Sequence, residues 1–498
     1  MGATSAHRPD AIVPGGDRSV KRDLGVLVER EHDLVVVGGG IHGVAAAWDA
    51  AQRGLATALV EADDFGSGVS WNSLKTIHGG LRYLQTLDLP RMRESIRERS
   101  TLLRIAPDLV RPLPFVVPTS GHGPKGREAL AVALHLNDWI GADRNRGLPP
   151  DRRIPPGRML SRSEVLGLFP GLPEGGLNGG ALWTDAQVGS SERLTLGFLH
   201  AAAGAGAAVA NRLEVTGVLR AGGRVVGVRA RDRVTDGVIE VRSRMVLNVA
   251  GPGMDRILAL AGISRPPVSL LHAVNLVLRR GVVTTHALGA SRGGRFLFLV
   301  PWRDRSIVGT GYSPGDADHR GGVSRFLEEA RVAYPWAGLA ASDVALVHRG
   351  LVPGRRDAGG LVTRHLLLDH ERRDGVAGLV SLQGVKYTTA RAVAEEAVDL
   401  VVRRLGRPAA PCRTAAIPLA LARPLQGPLE ERVRFAVQEE MALGLDDAVL
   451  RRLDLGTVGR PSDEEIDTVA GVMARELSWR PDRVAAERAA LESRYVDP

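Results

Sequence analysis

Apolar and polar positions between Asp33 and Glu61 follow a strand pattern, then a helix pattern, then a strand pattern again. Leu34 to Val37 is a short run of mostly β-branched residues, which is typical of a parallel strand covered on both faces. An alanine-rich stretch to Arg53 predicts a helix, Gly54 predicts its end, and 55–60 predicts the next strand. This order predicts one βαβ unit of an α/β fold, around which the rest of the chain is arranged.

Glycines occupy the turn between the first strand and the helix with the spacing G-x-G-x-x-G. Gly38 permits the tight turn, Gly40 lets the backbone approach a pyrophosphate, and Gly43 lets the helix pack on the strand. Glu61, at the tip of the second strand, is placed to accept hydrogen bonds from a ribose. The triplet alone is weak evidence, because the chain has 60 glycines and an ordinary glycine-rich turn would look the same. The flanking strand, the alanine-rich helix, the glycine that ends it and the acidic residue at the strand tip all agree with one unit. Together with the triplet they favour dinucleotide binding.

Patterns farther along the chain predict a second sheet and a helical end. Alternating stretches at 214–219 and 224–230, separated by Ala-Gly-Gly, predict a hairpin. Residues 244–253 predict a buried strand that ends in small residues, which would leave room for a cofactor. Strand-like runs within 265–315 predict the second sheet, and the pattern from residue 430 onward is almost wholly helical.

The composition argues against a nucleic-acid partner. The net charge is +9, but the basic residues are 61 Arg and 4 Lys, the arginines are scattered, and the aromatic content is 4%. A protein that binds nucleic acid clusters its cations and interleaves aromatics for stacking. The single Cys412 excludes an intramolecular disulfide, and no apolar run is long enough to span a membrane. The first thirty or so residues lack the pattern of a signal peptide. We therefore expect a cytoplasmic protein.

Four separated segments resemble one family, the FAD-dependent glycerol-3-phosphate dehydrogenases. They are GGGIHG at 38–43, SLKTIHGGLRYL at 73–84, VLNVAGPG at 246–253 and GVKYTTAR at 384–391. The helical end, with VQEEMALGLDDAVLRR at 437–452, is similar to the C-terminal domain of that family. The likeness covers nearly the whole chain from Asp33 onward, and the long IHGGLRYL match makes it specific.

The resemblance implies an α/β fold with three parts. They are a Rossmann-type FAD-binding domain that is split in sequence, a substrate domain on a mixed or antiparallel sheet, and a helical C-terminal domain. The predicted bounds are a flexible tail at 1–30, the FAD-binding domain at 31–120, 190–262 and 362–406, the substrate domain at 121–189 and 263–361, and the C-terminal domain at 425–498.

FAD is the cofactor that the resemblance implies, and the cofactor-binding positions of the family match residues of this chain. They are Gly38, Gly40, Gly43, Glu61, Ser70, Ser73, Lys75, Gly251, Thr388 and Thr389. The two threonines would lie near the isoalloxazine, although an ordinary pair at a helix N-terminus explains them equally well.

The implied reaction is oxidation of an alcohol carbon of a small-molecule substrate, with a phosphorylated polyol as the example. Electrons would pass from the flavin to an acceptor such as a quinone, with peripheral contact at the inner face of a membrane. The polar active-site positions of the family match His78, Arg82, Tyr83, Arg364 and Lys386. His78 is a candidate base because imidazole titrates near neutral pH, and a structural role in its loop carries equal weight.

The substrate-side segments depart from the family while the glycine motif does not. Val352 replaces an arginine that would hold a phosphate, and an isopropyl group cannot supply that contact. The segment 272–275 carries His-Ala-Val-Asn where the family has Lys-Gly-Ser-His. The segment 309–312 carries Gly-Thr-Gly-Tyr, ending at Tyr312, where the family has Gly-Thr-Thr-Asp. Arg349, Arg355 and His272 are candidates to restore a positive centre. The resemblance therefore does not fix glycerol-3-phosphate as the substrate.

Other functions are weighed against this hypothesis. An FAD-dependent amine or amino-acid oxidase would share the architecture but would not explain IHGGLRYL or the helical end. A basic nucleotide- or RNA-binding flavoprotein without dehydrogenase activity would explain the charge. A third alternative is a degenerate flavoprotein with a structural role. His365 and His370 are five apart, which is the wrong spacing for one helix face, so we expect no metal site.

Overall fold

A computed structural model describes residues 20–122, 126–264, 268–292, 295–314, 319–355, 360–419 and 426–495. In these residues the strands are β1 His32–Val37, β2 Thr57–Val60, β3 Thr76–Ile77, β4 Val110–Ser120, β5 Arg158–Leu160, β6 Leu177–Val188, β7 Ala208–Ala210, β8 Leu213–Ala221, β9 Arg224–Asp232, β10 Val238–Asn248, β11 Leu270–Leu278, β12 Ala287–Arg292, β13 Arg295–Trp302, β14 Arg305–Pro314, β15 Val344–Pro353, β16 Leu366–Asp369 and β17 Leu379–Gln383.

The α-helices of the same residues are α1 Leu24–Val28, α2 Ile41–Gln52, α3 Leu89–Ile105, α4 Arg127–Ile140, α5 Arg162–Leu168, α6 Ser191–Gly204, α7 Met254–Leu260, α8 His319–Ala333, α9 His370–Asp374, α10 Ala390–Leu405, α11 Leu429–Glu440, α12 Asp463–Leu477 and α13 Pro481–Glu492. Short 3-10 helices occur at Leu81–Thr86, Pro150–Arg152, Gly251–Gly253, Pro335–Ala337 and Ala341–Asp343, and a π-helix occurs at Asp447–Arg452.

The first sheet is the parallel sheet that the glycine motif predicts. Its strand order is β16-β17-β10-β1-β2-β7, and the neighbours from β17 to β7 are parallel. Leu34 and Val36 pack in one apolar cluster with α2, α6 and α10, whereas Val35 and Val37 pack in another cluster on the opposite face. Because both faces are covered, β1 is apolar throughout, as the sequence pattern predicts. The predicted hairpin is confirmed as β8 and β9, which extends from β10.

The second sheet is mixed and mostly antiparallel, with the order β15-β11-β14-β13-β12-β4-β6-β3. Helix α8 packs with one face of this sheet through residues such as Phe326 and Val274. On the other face, Val277 and Trp302 pack against the C-terminal helices, among them Val449. The three-part α/β architecture is therefore confirmed, with a parallel sheet, a mixed sheet and a helical end.

The C-terminal domain, residues 426–495, consists of α11, the π-helix, α12 and α13. The π-helix is buried and packs against α6, α11 and α12. None of the helices in the described residues combines the length and the apolar character needed to cross a membrane.

Two predicted bounds differ from the structure. Of the predicted flexible tail at 1–30, residues 1–19 lie outside the described residues. Residues 20–30 are described and contain α1 and the buried Val20. Val20 N–H donates to Glu439 O at 2.9 Å, which fixes this segment on the C-terminal domain. The predicted FAD-binding range 31–120 includes β4, yet β4 lies in the second sheet because it pairs along its whole length with β6.

Candidate functional site

A cavity of about 620 Å³ lies at the carboxyl ends of the parallel strands. Residues that follow four strands line it: Gly38 after β1, Glu61 after β2, Gly251 after β10 and Lys386 after β17. In an open parallel sheet the crevice beyond these strand ends is the usual place for a ligand. The volume is within the range of small-molecule and cofactor pockets.

Gly38 and Gly40 form the floor of the cavity where the sequence predicts a pyrophosphate, and Gly43 packs against Gly38. Gly38 has φ +111°, and a Cβ there would lie 2.6 Å from Val249 O. A Cβ on Gly43 would lie 1.8 Å from Gly38 O, so only glycine allows α2 to pack this closely on the turn. Gly40 precedes the first turn of α2 and lines the cavity. The N-terminus of α2 thus faces the cavity, and its positive end favours an anion there.

Glu61 closes one end of the cavity. Its Oε2 accepts a hydrogen bond from Gly39 N–H at 2.6 Å, and its Oε1 accepts one from Asp63 N–H at 2.8 Å. Burial raises the pKa of Glu61 to about 7, although these two backbone donors act in the opposite direction. A carboxylate held in this way is suited to hydroxyl donors such as those of a ribose.

The loop after β2 contains three further cofactor candidates, of which two line the cavity and one does not. Ser70 and Ser73 line the cavity, and Ser70 Oγ accepts a hydrogen bond from Ile41 N–H at 2.9 Å. Lys75 does not fit the predicted cofactor role, because its side chain is fully buried away from the cavity lining. Its Nζ lies 2.5 Å from Glu192 Oε1 and also donates to Trp71 O at 2.9 Å. A buried ammonium requires such a partner, so Lys75 serves the packing of the loop.

His78 forms a histidine–carboxylate pair beside the 386–389 turn. His78 Nδ1 lies 3.1 Å from Asp185 Oδ2, and Arg99 Nη1 donates to Asp185 Oδ1 at 2.7 Å. Burial would raise the pKa of Asp185, but His78 and Arg99 lower it to about 2, so the carboxylate stays ionised. A carboxylate on Nδ1 leaves Nε2 as the proton acceptor, which is the arrangement that a general base needs.

Lys386, Tyr83 and Arg82 come together at the other side of that turn. Lys386 Nζ lies 3.9 Å from the centre of the Tyr83 ring. Burial and the charge of Arg82 lower the pKa of Lys386 to about 8. Neither Arg82 nor Lys386 has a carboxylate partner among the described residues. Two neighbouring cations without a counter-charge form an anion-binding corner.

The remaining candidates are Arg364 and the two threonines, and none of them lines the cavity. Arg364 is 75% exposed in its side chain, and its Nη2 donates to Asp88 at 3.2 Å. Thr388 Oγ1 accepts a hydrogen bond from His78 N–H at 3.2 Å, so it joins the two loops. Thr389 stands at the N-cap of α10 without a side-chain capping bond. Both threonines are buried, and neither is among the residues that line the cavity.

The second sheet presents neutral side chains to the cavity. On β15, His348 and Gly350 contact the 69–73 loop, and Leu351, Val352 and Pro353 line the cavity at the end of the strand. Arg349 lies two residues after Val347, which packs toward α8, so these two side chains share the face opposite to His348 and Gly350. Its partner on β11 is Val274, which belongs to the same cluster.

The same alternation on β11 places His272 with Val274 on the α8 face and Asn275 on the cavity side. Asn275 Oδ1 accepts a hydrogen bond from Thr310 Oγ1 at 2.7 Å. Tyr312 is 37% exposed and has the guanidinium of Arg295 over its ring. Neither Arg349 nor His272 is among the residues that line the cavity, so neither brings to it the cation that Val352 lacks. Arg355 follows β15 and is exposed.

His42 is a cavity residue that the sequence reasoning missed. Its Nε2 is buried without a hydrogen-bond partner among the described residues, and its ring lies against Gly384, where a Cβ would be 2.2 Å away. Burial lowers the pKa of His42 to about 4, so the ring is neutral and can donate or accept one hydrogen bond. Its position inside the glycine motif was the available signal. Arg233 and Arg256 also line the adenosine end and were missed, because each comes from a distant segment.

These residues fit FAD. The glycine floor and the N-terminus of α2 suit a pyrophosphate, Glu61 suits a ribose, and the orphaned Nε2 of His42 offers an unsatisfied hydrogen-bonding atom. In the described residues, no group of three or more His, Cys, Asp or Glu side chains is arranged to hold a metal ion.

Comparison with known proteins agrees with this geometry. The family model for FAD dependent oxidoreductases matches residues 33–400, and the model for the C-terminal domain of alpha-glycerophosphate oxidase matches residues 414–484. The glycerol-3-phosphate dehydrogenase of Synechocystis sp. is 34% identical over 428 residues, which cover 80% of this chain and 75% of that protein. The glycerol-3-phosphate dehydrogenase of Mycobacterium leprae is 35% identical over 401 residues, which cover 78% of this chain and 66% of that protein.

Among solved structures, the glycerol-3-phosphate dehydrogenase of Bacillus halodurans complexed with FAD has a similar fold. Its TM-score is 0.73 at 24% identity, and the alignment covers 95% of this chain and 96% of that one. The L-alpha-glycerophosphate oxidase of Mycoplasma pneumoniae with FAD bound gives a TM-score of 0.55 at 16% identity, covering 77% and 97%.

Proposed function

The chain belongs to the FAD-dependent glycerol-3-phosphate dehydrogenase family, oxidoreductases that act on CH–OH donors, and we propose that its preferred substrate is a small anionic polyol other than glycerol-3-phosphate. The observation that carries this proposal is the neutral wall of the cavity, formed by Leu351, Val352 and Pro353 at the end of β15. The alternative of an amine or amino-acid oxidase is not favoured, because the model that matches the C-terminal domain is that of alpha-glycerophosphate oxidase and the relatives described above are glycerol-3-phosphate dehydrogenases.

Arg82 and Lys386 hold the anionic group of the substrate in this proposal. In the part of the chain that the structure describes, neither cation pairs with a carboxylate, and the ring of Tyr83 supports the ammonium of Lys386. Since Val352 adds neither charge nor hydrogen bonds, a phosphate dianion loses one bidentate contact. An anion with lower charge loses less, which shifts the preference away from phosphate esters.

His78 removes the hydroxyl proton in this proposal. Asp185 fixes the ring through Nδ1, and Arg99 and Gly79 N–H hold Asp185 in place, both at 2.7 Å. The Nε2 atom is then free to accept a proton from the substrate hydroxyl. FAD, when bound, supplies the acceptor for the hydride that leaves the alcohol carbon.

A quinone at a membrane surface is the electron acceptor in this proposal. Exposed apolar side chains support contact with a membrane: Val132 and Trp139 on α4 are 67% and 75% exposed, and Leu87 is 75% exposed on the segment beside it. Co-sedimentation with anionic lipid vesicles tests the contact. We expect Trp139→Ser to reduce the bound fraction, and equal binding by the variant would contradict this part of the proposal.

The substrate is tested by anaerobic reduction of the bound flavin. The purified protein is mixed with glycerol-3-phosphate, other phosphorylated polyols, and hydroxy acids such as glycerate. We expect one of the small anions of lower charge, such as glycerate, to reduce the flavin at lower concentration than glycerol-3-phosphate. Saturating reduction by glycerol-3-phosphate at the lowest concentration of the panel would overturn the proposal.

A further inference from the structure

Asp64 is a fully buried carboxylate in the loop that follows Glu61, and two arginines of the C-terminal domain hold it. Arg451 Nε donates to Asp64 Oδ2 at 2.6 Å. Arg452 makes a two-point contact, in which Nη1 donates to Oδ2 and Nη2 to Oδ1, both at 2.6 Å. Asn211 Nδ2 adds a fourth bond at 3.0 Å. Burial alone would raise the pKa of Asp64, but Arg452 and Arg451 hold it below its ordinary value.

The two arginines are themselves fixed within the C-terminal domain. Both belong to the buried π-helix, and Arg452 Nε donates to Glu440 O at 3.0 Å. Asp447, also in the π-helix, accepts a hydrogen bond from Arg451 and two from Arg212, which lies just beyond β7. The guanidinium groups are thus presented to Asp64 from a rigid element.

The loop of Asp64 is built directly onto the glycine motif. Gly66 N–H donates to Gly39 O at 3.0 Å, and Gly39 N–H donates to Glu61 Oε2 at 2.6 Å. A Cβ on Gly39 would lie 2.6 Å from the ring of Phe65. Asp63 lies between Glu61 and Asp64 and lines the cavity. A displacement of Asp64 would therefore move the residues at the adenosine end of the cavity.

Docking of the C-terminal domain does not by itself require this ionic contact. The domain already packs apolar residues such as Val449 and Met473 against Val277 of the second sheet. A buried ion pair is in general no more stabilising than apolar residues of the same volume, but it holds two groups in one geometry. The contact at Asp64 is therefore better explained by positioning of its loop than by stabilisation of the domain interface.

We propose that the C-terminal domain is part of the cofactor site, in which Arg451 and Arg452 act as positioning residues that hold the 61–66 loop through Asp64. The ligand affected is the adenosine diphosphate half of FAD. This role is independent of which alcohol the enzyme oxidises, because it concerns the cofactor end that is remote from Lys386.

The test compares two substitutions that both loosen a contact of the C-terminal domain. Arg452→Lys keeps the charge but cannot hold both oxygens of Asp64. Arg303→Gln removes the guanidinium that contacts Asp454 and Thr457 of the same domain from the turn between β13 and β14. Its hydrogen bonds and ion pair in the described residues do not involve residues 61–66. Affinities of FAD and of ADP alone are measured on the full-length apoprotein by calorimetry, together with the melting temperature.

We expect Arg452→Lys to weaken FAD and ADP by the same factor, about tenfold, as for loss of one charge-assisted contact. The visible spectrum of the variant saturated with FAD should be unchanged, and Arg303→Gln should bind both ligands like the wild type. Unchanged ADP affinity in Arg452→Lys, or equal weakening in Arg303→Gln, would overturn the proposal. Asp64→Asn serves as a second variant, with the same expected loss, if the lysine variant does not fold.

Discussion

Replacement of Val352 by arginine is the substitution that addresses the substrate site most directly. Val352 stands near the end of β15, pairs with Leu271 of β11, and is half-buried at the cavity wall. Val352 lines the cavity together with Lys386, so a longer side chain at this position would extend toward that residue. A guanidinium at this position would enter the cavity from the wall that is now neutral.

The expected gain follows from one charge-assisted contact to a phosphate. Such hydrogen bonds contribute about 1.5–3 kcal/mol, which corresponds to about 10-fold to 150-fold in affinity. Arg82 and Lys386 already carry positive charge in this region, and burial together with Arg82 lowers the pKa of Lys386 to about 8. A third cation adds repulsion, so we expect the lower end of the range, about 10-fold.

The assay is steady-state oxidation of glycerol-3-phosphate with an artificial electron acceptor. We expect Val352→Arg to lower KM for glycerol-3-phosphate about tenfold with little change in kcat, because the contact is remote from the reacting carbon. Val352→Met is the control for added length without charge and should leave KM unchanged. Equal effects of both substitutions, or no effect of arginine, would refute the account of the neutral wall.

Three further predictions concern the cofactor site, the anion-binding corner and stability. Glu192→Gln should lower the free energy of unfolding by about 3–5 kcal/mol in urea denaturation, because it leaves the Lys75 ammonium buried without a counter-charge; a loss below about 1 kcal/mol would contradict this. Because burial raises the pKa of Glu61 to about 7, FAD affinity of the apoprotein should rise as the pH increases through 7, and a similar rise in Glu61→Gln would be inconsistent with that cause. The ammonium of Lys386 has a pKa of about 8, so kcat/KM for an anionic substrate should fall as the pH rises through 8. Lys386→Arg should shift that fall to higher pH, and an unshifted profile would assign it to another group.

Local geometry explains what could be predicted from the sequence. Gly38, Gly43 and Glu61 lie within one βαβ unit, so their spacing in the chain already determines their spacing in the cavity. The alternation along β15 is likewise local. Arg349 and Val352 are three positions apart on one strand, and this odd spacing alone places their side chains on opposite faces.

Contacts between distant segments explain what could not be predicted. Lys75 matches a cofactor position by sequence, but its partner Glu192 is 117 residues away, and the pairing turns the ammonium into the core. The contact of Arg452 with Asp64 spans 388 residues. The strand at 110–120 follows the nucleotide-binding unit in sequence, and only its pairing with β6 places it in the second sheet.

The protein combines an intact FAD site with a substrate site that lacks the arginine expected to bind phosphate. Anaerobic titration of the flavin with glycerol-3-phosphate, in the wild type and in Val352→Arg, tests both halves in one experiment. We expect the protein to be purified with FAD, and we expect glycerol-3-phosphate to reduce the flavin of the variant at about tenfold lower concentration than that of the wild type. A wild type that binds no FAD, or whose flavin is reduced by glycerol-3-phosphate as readily as that of the variant, would contradict this expectation.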